Sequence, residues 1–179
     1  MKQGSITYRL YKPSDKAEFI RCIEKMQDYF VTLDTLGWQR RRKDFGPRYV
    51  NEKLLADLKK YPGELHVAMD GKKMVGFIFG TIENMTGLDL SYFKPERVGW
   101  IYVLFVDHDY RNKKIGTALM KRLESFFASE GCTLVRLEAQ GNVDQLATFY
   151  SRHGFKPWQL HMVKRLAKRR NRKTRVKTA

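Results

Sequence analysis

The segment "VGWIYVLFVD", residues 98–107, constrains the fold more than any other part of the sequence, because it is apolar almost without interruption. Such a run is typical of a strand that is covered on both faces, and it predicts a central strand over residues 98–106. A basic loop follows, and from Ile115 to Phe127 apolar residues recur at helical spacing. A buried strand that leads into an amphipathic helix predicts an α/β fold with the helix packed against the sheet.

Upstream of this segment the sequence predicts one strand and two helices. Residues 5–11 alternate polar and apolar side chains, as a strand does. Apolar residues at helical spacing predict a helix over residues 14–33, capped by Ser14, and a second helix that begins at Pro47 and stops before residues 62–63.

A hairpin precedes the central strand, and three more elements follow the helix after it. Asp70-Gly71 separates two apolar runs and favours a tight antiparallel turn. Residues 132–140 predict a strand, residues 142–154 a short helix closed by Gly154, and residues 155–166 a final strand. The order β, α, α, β-hairpin, β, α, β, α, β predicts a mixed sheet with helices against its faces.

Length and composition predict one domain with a tail. A chain of 179 residues can bury one core, so we assign residues 1–166 to the domain and residues 167–179 to a basic, disordered tail. The longest apolar runs are too short for a membrane span and the N-terminus lacks a signal-peptide core, so a cytoplasmic protein is expected. Cys22 and Cys132 are too far apart for a metal pair, and no metal is expected.

The positive charge of the chain is concentrated at its C-terminus. The formal net charge is +16, and residues 164–179 hold nine Lys or Arg and no acid. Such a run is expected to bind polyanions such as RNA or an anionic membrane, but a solvated tail without a specific partner is an equally good interpretation. A smaller basic patch lies at residues 39–49.

The basic loop ahead of the helix at Ile115 indicates a bound anion. Arg111, Lys113 and Lys114 lie where a helix N-terminus already carries partial positive charge, which is locally unfavourable. A phosphate held between these side chains and the free N–H groups of the first turn would remove the conflict. The alternative is a solvated basic loop that happens to precede a helix.

The segment "LFVDHDYRNKKIGTAL" resembles motif A of the GCN5-related N-acetyltransferases (GNAT), whose usual form is Arg or Gln, two residues, Gly, one residue, then Gly or Ala. Here the motif runs from Arg111 to Gly116, with Lys114 in place of the first glycine. The later "FYSRHGF" and the order of elements over residues 5–166 fit the same family. The resemblance implies a GNAT-like mixed, mainly antiparallel sheet flanked by helices, and an acyltransferase that uses acetyl-CoA.

The resemblance also implies which residues bind the coenzyme. The strand before the loop would pair with pantetheine through the backbone of Leu104, Phe105 and Val106. The loop and first helical turn would hold the diphosphate through Arg111, Asn112, Lys113, Lys114, Ile115, Gly116, Thr117 and Ala118. At Gly116 a side chain would keep phosphates off the backbone. If Lys114 needs a left-handed backbone, the strain costs about 1–2 kcal/mol, which a contact to phosphate would offset.

Two residues of the C-terminal motif receive roles from the same resemblance. Tyr150 would protonate the departing CoA thiolate, and a tyrosine pKa of about 10 keeps it protonated at neutral pH. The alternative is a buried tyrosine that packs against Phe149 and Phe155. Asn142 would contact CoA, but it lies one residue upstream of the usual spacing, so a helix cap is an equal alternative.

No residue is marked clearly as the general base. A primary amine with a pKa near 10.4 must lose a proton before it attacks. The central strand lacks the glutamate that some family members place there, and Glu83 and Glu138 at the ends of neighbouring strands are the candidates, acting through water. A carboxylate at the end of a strand is more often solvated or paired than a base.

The predicted function is transfer of an acetyl group to a primary amine, on a small molecule or on a protein or peptide, by direct attack in a ternary complex. The region with Trp38, Tyr49 and the basic patch is where the family varies its acceptor site. The alternative is an acetyltransferase-like binding module with weak or no catalysis, anchored to RNA or a ribonucleoprotein by its tail. A homodimer stays open, because related enzymes are often dimers.

Overall fold

The computed structural model describes residues 5–141 and 143–166. The chain divides into two compact units, Met1–Asn142 and Val143–Ala179. The first unit contains the sheet and the basic loop, and the second contains the "FYSRHGF" motif. Within the described residues, no helix has both the length and the apolar character needed to cross a membrane.

The first unit is built on a five-stranded sheet. The strands are β1 (Thr7–Leu10), β2 (Gly63–Asp70), β3 (Lys73–Glu83), β4 (Val98–Val106) and β5 (Leu134–Leu137). They lie in sequence order, and every neighbouring pair is antiparallel except β4–β5, which is parallel. The prediction of a mixed, mainly antiparallel sheet flanked by helices is therefore confirmed.

One detail of the predicted sheet is wrong. The middle strand is β3, and β4 is fourth of five. β3 is buried along almost its whole length, whereas the side chains of β4 alternate between buried and half-buried. An apolar run marks a strand with little contact to water, but it does not say how many strands lie on each side of it.

Four α-helices belong to the first unit: α1 (Lys16–Leu33), α2 (Phe45–Arg48), α3 (Leu55–Lys60) and α4 (Ile115–Ser129). Between α2 and α3 the residues Tyr49–Leu54 form a π-helical turn, so the single helix predicted from Pro47 is divided. Ser14 is not the cap of the first helical region. Instead the backbone N–H of Lys12 donates to Asp15 Oδ2 at 2.8 Å.

The helices cover both faces of the sheet. On one face α1 and the π-helical turn pack onto β2, β3 and β4, with the Phe19 and Phe77 rings in edge contact at 4.8 Å. On the other face α4 lies so close that a Cβ built on Gly99 would be 2.6 Å from Phe127. The absence of a side chain at Gly99 therefore lets the helix approach β4. This packing fixes the direction in which the N-terminus of α4 leaves the strand.

The second unit contains α5 (Val143–Ser151) and an irregular segment after it. Gly154 has φ 82°, and the Phe155 N–H donates to the Tyr150 carbonyl at 3.1 Å, which confirms the predicted helix end. The predicted strand over residues 155–166 is wrong, because this segment has no regular structure and Trp158 is 87% exposed. Alternating apolar residues form a strand only where a neighbour supplies hydrogen bonds, and none is described for them.

Candidate functional site

The loop between β4 and α4 has an unusual backbone. Asn112 has φ 62° and Lys114 has φ 61°, so two residues that are not glycine adopt the left-handed conformation. Asparagine tolerates this region better than lysine does. The expected strain at Lys114 is therefore present, and Asn112 is a second position of the same kind that the sequence did not reveal.

This backbone leaves a series of N–H groups without acceptors. Tyr110 and Arg111 donate to carbonyls of the preceding turn, and the next described backbone donor is Ala118, whose N–H bonds to the Lys114 carbonyl at 3.0 Å. No acceptor is described for the N–H groups of residues 112–116 in the described part of the chain. Successive N–H groups with a left-handed residue among them form a concave site for anions such as phosphate.

Two of the three basic side chains of the loop have described partners. Arg111 Nε donates to the Val106 carbonyl at 3.3 Å, and its guanidinium lies 4.8 Å from the centre of the Tyr29 ring. Lys113 Nζ donates to the Asp109 carbonyl at 3.0 Å. Lys114 is exposed, and no partner is described for its ammonium group among residues 5–141 and 143–166. Lys114 therefore supplies a charge that no described carboxylate neutralises.

β4 has a free edge next to this loop. Its pairing with β5 ends at Ile101 and Leu137. On the β3 side, Phe79 pairs with Val103 and Gly80 with Ile101, so Tyr102 is the extra residue of a β-bulge. β4 continues for five residues beyond Ile101 with no described strand on its β5 side.

The alternation of the β3–β4 ladder shows which groups are on the free edge. The Asp107 N–H donates to the Val75 carbonyl at 2.8 Å, so Phe105 and Val103 also direct their backbone groups toward β3. Leu104 and Val106 then direct theirs to the free side. Phe105 differs from its two neighbours, since its backbone is used within the sheet.

The two candidate bases, Glu83 and Glu138, have different surroundings. Glu83 ends β3 and forms an ion pair with Arg136, with Oε2 and Nη2 2.8 Å apart. The Arg136 guanidinium also lies 4.0 Å from the centre of the Trp100 ring. Glu138 is exposed and comes directly after Leu137, the last residue of β5, so it lies one residue beyond the strand on which it was predicted. Neither carboxylate has a described contact with the loop residues 111–118.

Tyr150 lies on α5 in the second unit. Burial raises the pKa of its hydroxyl to about 12. The ring makes edge contacts with Phe149 at 5.1 Å and Phe155 at 5.8 Å, so the packing expected as the alternative role is present. The phenol stays protonated at neutral pH, but it is a weaker acid than an ordinary tyrosine. Asn142 lies outside the described residues.

A concave site in the region before the hairpin is the main feature that the sequence did not predict. We call it the basic pocket, and its volume is about 470 Å³. Its lining consists of Arg40, Arg42, Asp44, Phe45, Arg48, Tyr49, Glu52 and Lys53. The basic patch in the sequence marked some of these residues, but the aromatic side that Phe45 of α2 and Tyr49 of the π-helical turn add to them was not predicted. Among the described residues no group of three or more His, Cys, Asp or Glu could hold a metal ion.

Residues 24–155 match the Acetyltransferase (GNAT) family, which places this mixed sheet in the class of acetyltransferase domains. Since this match covers most of the chain, the protein belongs to that family. The predictions of the family and of an acyltransferase are thereby confirmed. No curated protein matches the sequence.

Solved structures share the fold at low sequence identity. A mutant protein from Bacillus halodurans matches with a TM-score of 0.73 and 16% identity, covering 90% of this chain and 99% of its own. Glucosamine-6-phosphate N-acetyltransferase from Arabidopsis thaliana matches with a TM-score of 0.59 and 19% identity, covering 91% and 99%. An aminoglycoside acetyltransferase from an uncultured soil metagenomic sample matches with a TM-score of 0.59 and 18% identity, covering 91% of this chain and 99% of its own. These matches establish the fold.

Proposed function

We propose that the protein transfers an acetyl group from acetyl-CoA to a primary amine. The observation that carries this proposal is the series of N–H groups at residues 112–116, for which no acceptor is described among residues 5–141 and 143–166. The series lies at the start of α4 and beside the exposed Lys114. Backbone donors at a helix N-terminus suit a diphosphate. A single bound phosphate would use only part of this series.

Different residues of the first unit would bind different parts of the coenzyme. The N–H groups of the loop and the side chains of Arg111, Lys113 and Lys114 would hold the diphosphate. The backbone of Leu104 and Val106 would pair with the amide groups of pantetheine, because both residues face the free edge of β4. The backbone N–H and C=O groups of Phe105 face β3, so they would not pair with pantetheine themselves. Acetyl-CoA supplies the activated acetyl group.

The chemical step is a direct transfer. The neutral amine nitrogen attacks the thioester carbonyl carbon, a carbon–nitrogen bond forms, the carbon–sulfur bond breaks, and the sulfur leaves as a thiolate. The proton released by the amine passes to Glu83 or Glu138 through water. Tyr150 would donate a hydrogen bond to the sulfur, and its high pKa favours this role over complete proton transfer to a thiolate of pKa near 8.5.

The acceptor class is a small amine in the first instance. Two of the similar structures are named for glucosamine 6-phosphate and aminoglycosides, both of which carry amino groups on sugars. The basic pocket is of a size that suits small ligands. A protein or peptide amine remains the second candidate, because the high positive charge of the chain attracts acidic partners.

Titration with acetyl-CoA tests the donor, and release of free thiol with a panel of amines tests the acceptor. The release must be corrected for hydrolysis measured without amine. Lys114→Ala should weaken acetyl-CoA binding, whereas Lys43→Ala, at an exposed position outside the loop, should leave it unchanged. A wild-type protein that binds no acetyl-CoA at micromolar concentration would contradict the proposed function.

The basic tail is a proposed contact for RNA. Residues 167–179 lie outside the described residues, so this proposal rests on charge alone. Deletion of these residues should flatten the salt dependence of RNA binding and leave acetyl-CoA binding unchanged. Equal salt dependence in the full-length and shortened chains would refute it.

A further inference from the structure

The basic pocket is a charged cavity beside the face of β4 on which α1 packs. It is formed by the residues that connect α1 to α2 and by the π-helical turn. Its lining holds four cationic and two anionic side chains, so its formal charge is +2. Its arginines are largely exposed, so the basic pocket is an open cleft on the surface that a ligand can enter from water.

Three of the four cations in the lining have carboxylate partners, and Lys53 pairs with Asp57, outside the lining, at 2.8 Å. Arg48 pairs with Glu52 at 3.1 Å and with Asp44 at 3.7 Å, and Arg42 pairs with Asp44 at 3.2 Å. These partners are exposed to water, where ion pairs contribute little and exchange readily. For the Arg40 guanidinium no hydrogen bond or ion pair is described within the described residues. Arg40 is thus available to a ligand without loss of an existing contact.

Aromatic side chains give the basic pocket one apolar wall. The rings of Phe45 and Tyr49 stack with centres 5.3 Å apart and planes 20° apart. Burial raises the pKa of Tyr49, so its hydroxyl stays protonated and serves as a hydrogen-bond donor. The cavity therefore offers a flat apolar surface together with N–H and O–H donors, a combination that suits a small polar molecule with a short carbon skeleton.

Lys53 connects the basic pocket to β4. Its Nζ lies 5.2 Å from the centre of the Tyr102 ring. Tyr102 is the bulged residue just after the point where β5 stops pairing with β4. Its ring also stacks on Phe79 and Trp100, so its position is fixed by the sheet. A molecule in the basic pocket would have one end near Tyr102, where the free edge of β4 begins.

We infer that the basic pocket binds the anionic group of the acceptor, so that the preferred acceptor is a small amine that carries a phosphate or a carboxylate. Arg40 and Arg42 would contact the anion, and the amine would extend past Lys53 toward β4. The role as an acceptor site rests on the proposed acetyl transfer, whereas binding of the anion does not. Phosphate and carboxylate share the chemistry that arginine recognises, and the experiment distinguishes them.

Binding is measured first, by calorimetry on the full chain, with amines that differ in one charged group. O-phosphoethanolamine is compared with ethanolamine, and β-alanine with β-alaninamide. We expect the anionic member of at least one pair to bind about ten- to hundredfold more tightly, as for hydrogen bonds to a charged group. Arg40→Gln combined with Arg42→Gln should abolish this difference, and Lys43→Gln, on the same loop but outside the lining, should preserve it.

A second variant tests the pocket in the opposite direction. Asp44→Asn combined with Glu52→Gln removes the competing carboxylates and should strengthen binding of the anionic amine. Equal or absent binding of the paired amines, or an unchanged preference in the double arginine variant, would overturn the inference. Preference only for an acidic peptide over its neutral counterpart would also overturn it and assign the pocket to a protein acceptor.

Turnover with acetyl-CoA separates this inference from the proposed function. If the anionic amine binds through Arg40 and Arg42 but releases no thiol from acetyl-CoA, the anion site stands and acetyl transfer to that amine fails. If acetyl-CoA is consumed equally well with both members of each pair, the transfer stands and the anion site fails. When both hold, the anionic amine should show the higher kcat/KM by the same factor as its binding preference.

Discussion

Lys25 Nζ lies 2.8 Å from Asp107 Oδ2 and so joins the middle of α1 to the residue that follows β4. Asp107 is only 3% exposed. Burial opposes ionisation of its carboxyl, but the hydrogen bond from Lys25 and the charges of Lys73 and Arg21 outweigh burial and hold the pKa below its usual range. The carboxylate thus fixes the start of the loop between β4 and α4 to a helix on one face of the sheet.

Replacement of Lys25 by methionine should destabilise the protein and disturb the loop. Arg21 remains 3.7 Å from Asp107 and compensates in part, so we expect the free energy of unfolding to fall by about 1–3 kcal/mol. Acetyl-CoA binding, measured by calorimetry, should weaken in parallel. Lys16→Met, on the exposed side of the same helix, is the control, and an equal effect of both changes would contradict this role.

The free energy of unfolding of Asp107→Asn, measured as the pH falls, tests the same ion pair. Because the folded-state pKa of Asp107 is lowered, its contribution to stability is present above the unfolded-state value near 4 and is lost as the pH falls through the folded-state value. The free energy of unfolding of the asparagine variant should therefore depend less on pH below about pH 4. A wild-type slope in the variant would show that the ion pair is not formed in solution.

Lys114 is predicted to lower the stability of the protein and to strengthen its binding of acetyl-CoA. Lys114→Gly should raise the free energy of unfolding by about 1 kcal/mol, since glycine adopts φ 61° without strain. The same change should weaken acetyl-CoA binding through the lost charge. Lys114→Ala keeps the strain and removes the charge, so it should weaken binding without the gain in stability. If the glycine variant were no more stable than the alanine variant, the left-handed backbone would not be strained.

The free edge of β4 is predicted to appear in amide exchange measured by NMR. The N–H groups of Leu104 and Val106 should exchange rapidly in the free protein, whereas those of Val103 and Phe105, bonded to β3, should be protected. Among residues 103–106, addition of acetyl-CoA should slow exchange at Leu104 and Val106 alone. Unchanged rates at these two residues in the presence of saturating acetyl-CoA would exclude backbone pairing of pantetheine at this edge.

Tyr150→Phe should lower kcat by about 10- to 100-fold, the effect of losing a hydrogen bond to a charged group, and leave the dissociation constant of acetyl-CoA unchanged. Tyr92→Phe, at an exposed tyrosine, is the control. Because burial raises the pKa of Tyr150 to about 12, its ionisation should cause no fall of kcat as the pH rises to about 10. A fully active phenylalanine variant would leave Tyr150 with a packing role only.

Alkaline unfolding should report the buried thiol of Cys22. Burial raises its pKa to about 12, so above pH 9 the unfolded thiol loses its proton while the folded thiol keeps it. Stability is complete below the unfolded-state pKa and is lost as the pH rises, by about 1.4 kcal/mol per pH unit from this group. Cys22→Ala should flatten the slope between pH 9 and 12, and Cys132→Ala should flatten it less, because that thiol is less buried. Equal slopes for wild type and Cys22→Ala would contradict this.

Much of the first unit could be predicted from residue spacing alone. The helix from Ile115 and the strand 98–106 show strong periodicity or an unbroken apolar run, and both appear within a residue or two of the expected bounds. The hairpin at Gly71, which has φ 58°, was also predicted correctly, since few residues other than glycine suit that position.

The errors concern features that depend on distant partners. Residues 155–166 carry an alternating pattern, but a pattern does not reveal whether another strand is available to pair with it. The π-helical turn at Tyr49–Leu54 places Val50 and Leu54 in the core, and that choice is made by packing rather than by local propensity. The basic patch is exposed as predicted, but the pattern could not show that Arg40, Arg42 and Arg48 line one concave surface with Phe45 and Tyr49.

The free edge of β4 has a consequence for divergence within the family. A partner that binds to main-chain N–H and C=O groups imposes no requirement on the side chains of Leu104 and Val106, which every residue except proline could replace without loss of those groups. The positions that must keep their chemistry are few and lie elsewhere. A fold of this kind can therefore keep the same backbone edge while almost all of its residues change, which agrees with the 16–19% identity to structures that share the fold.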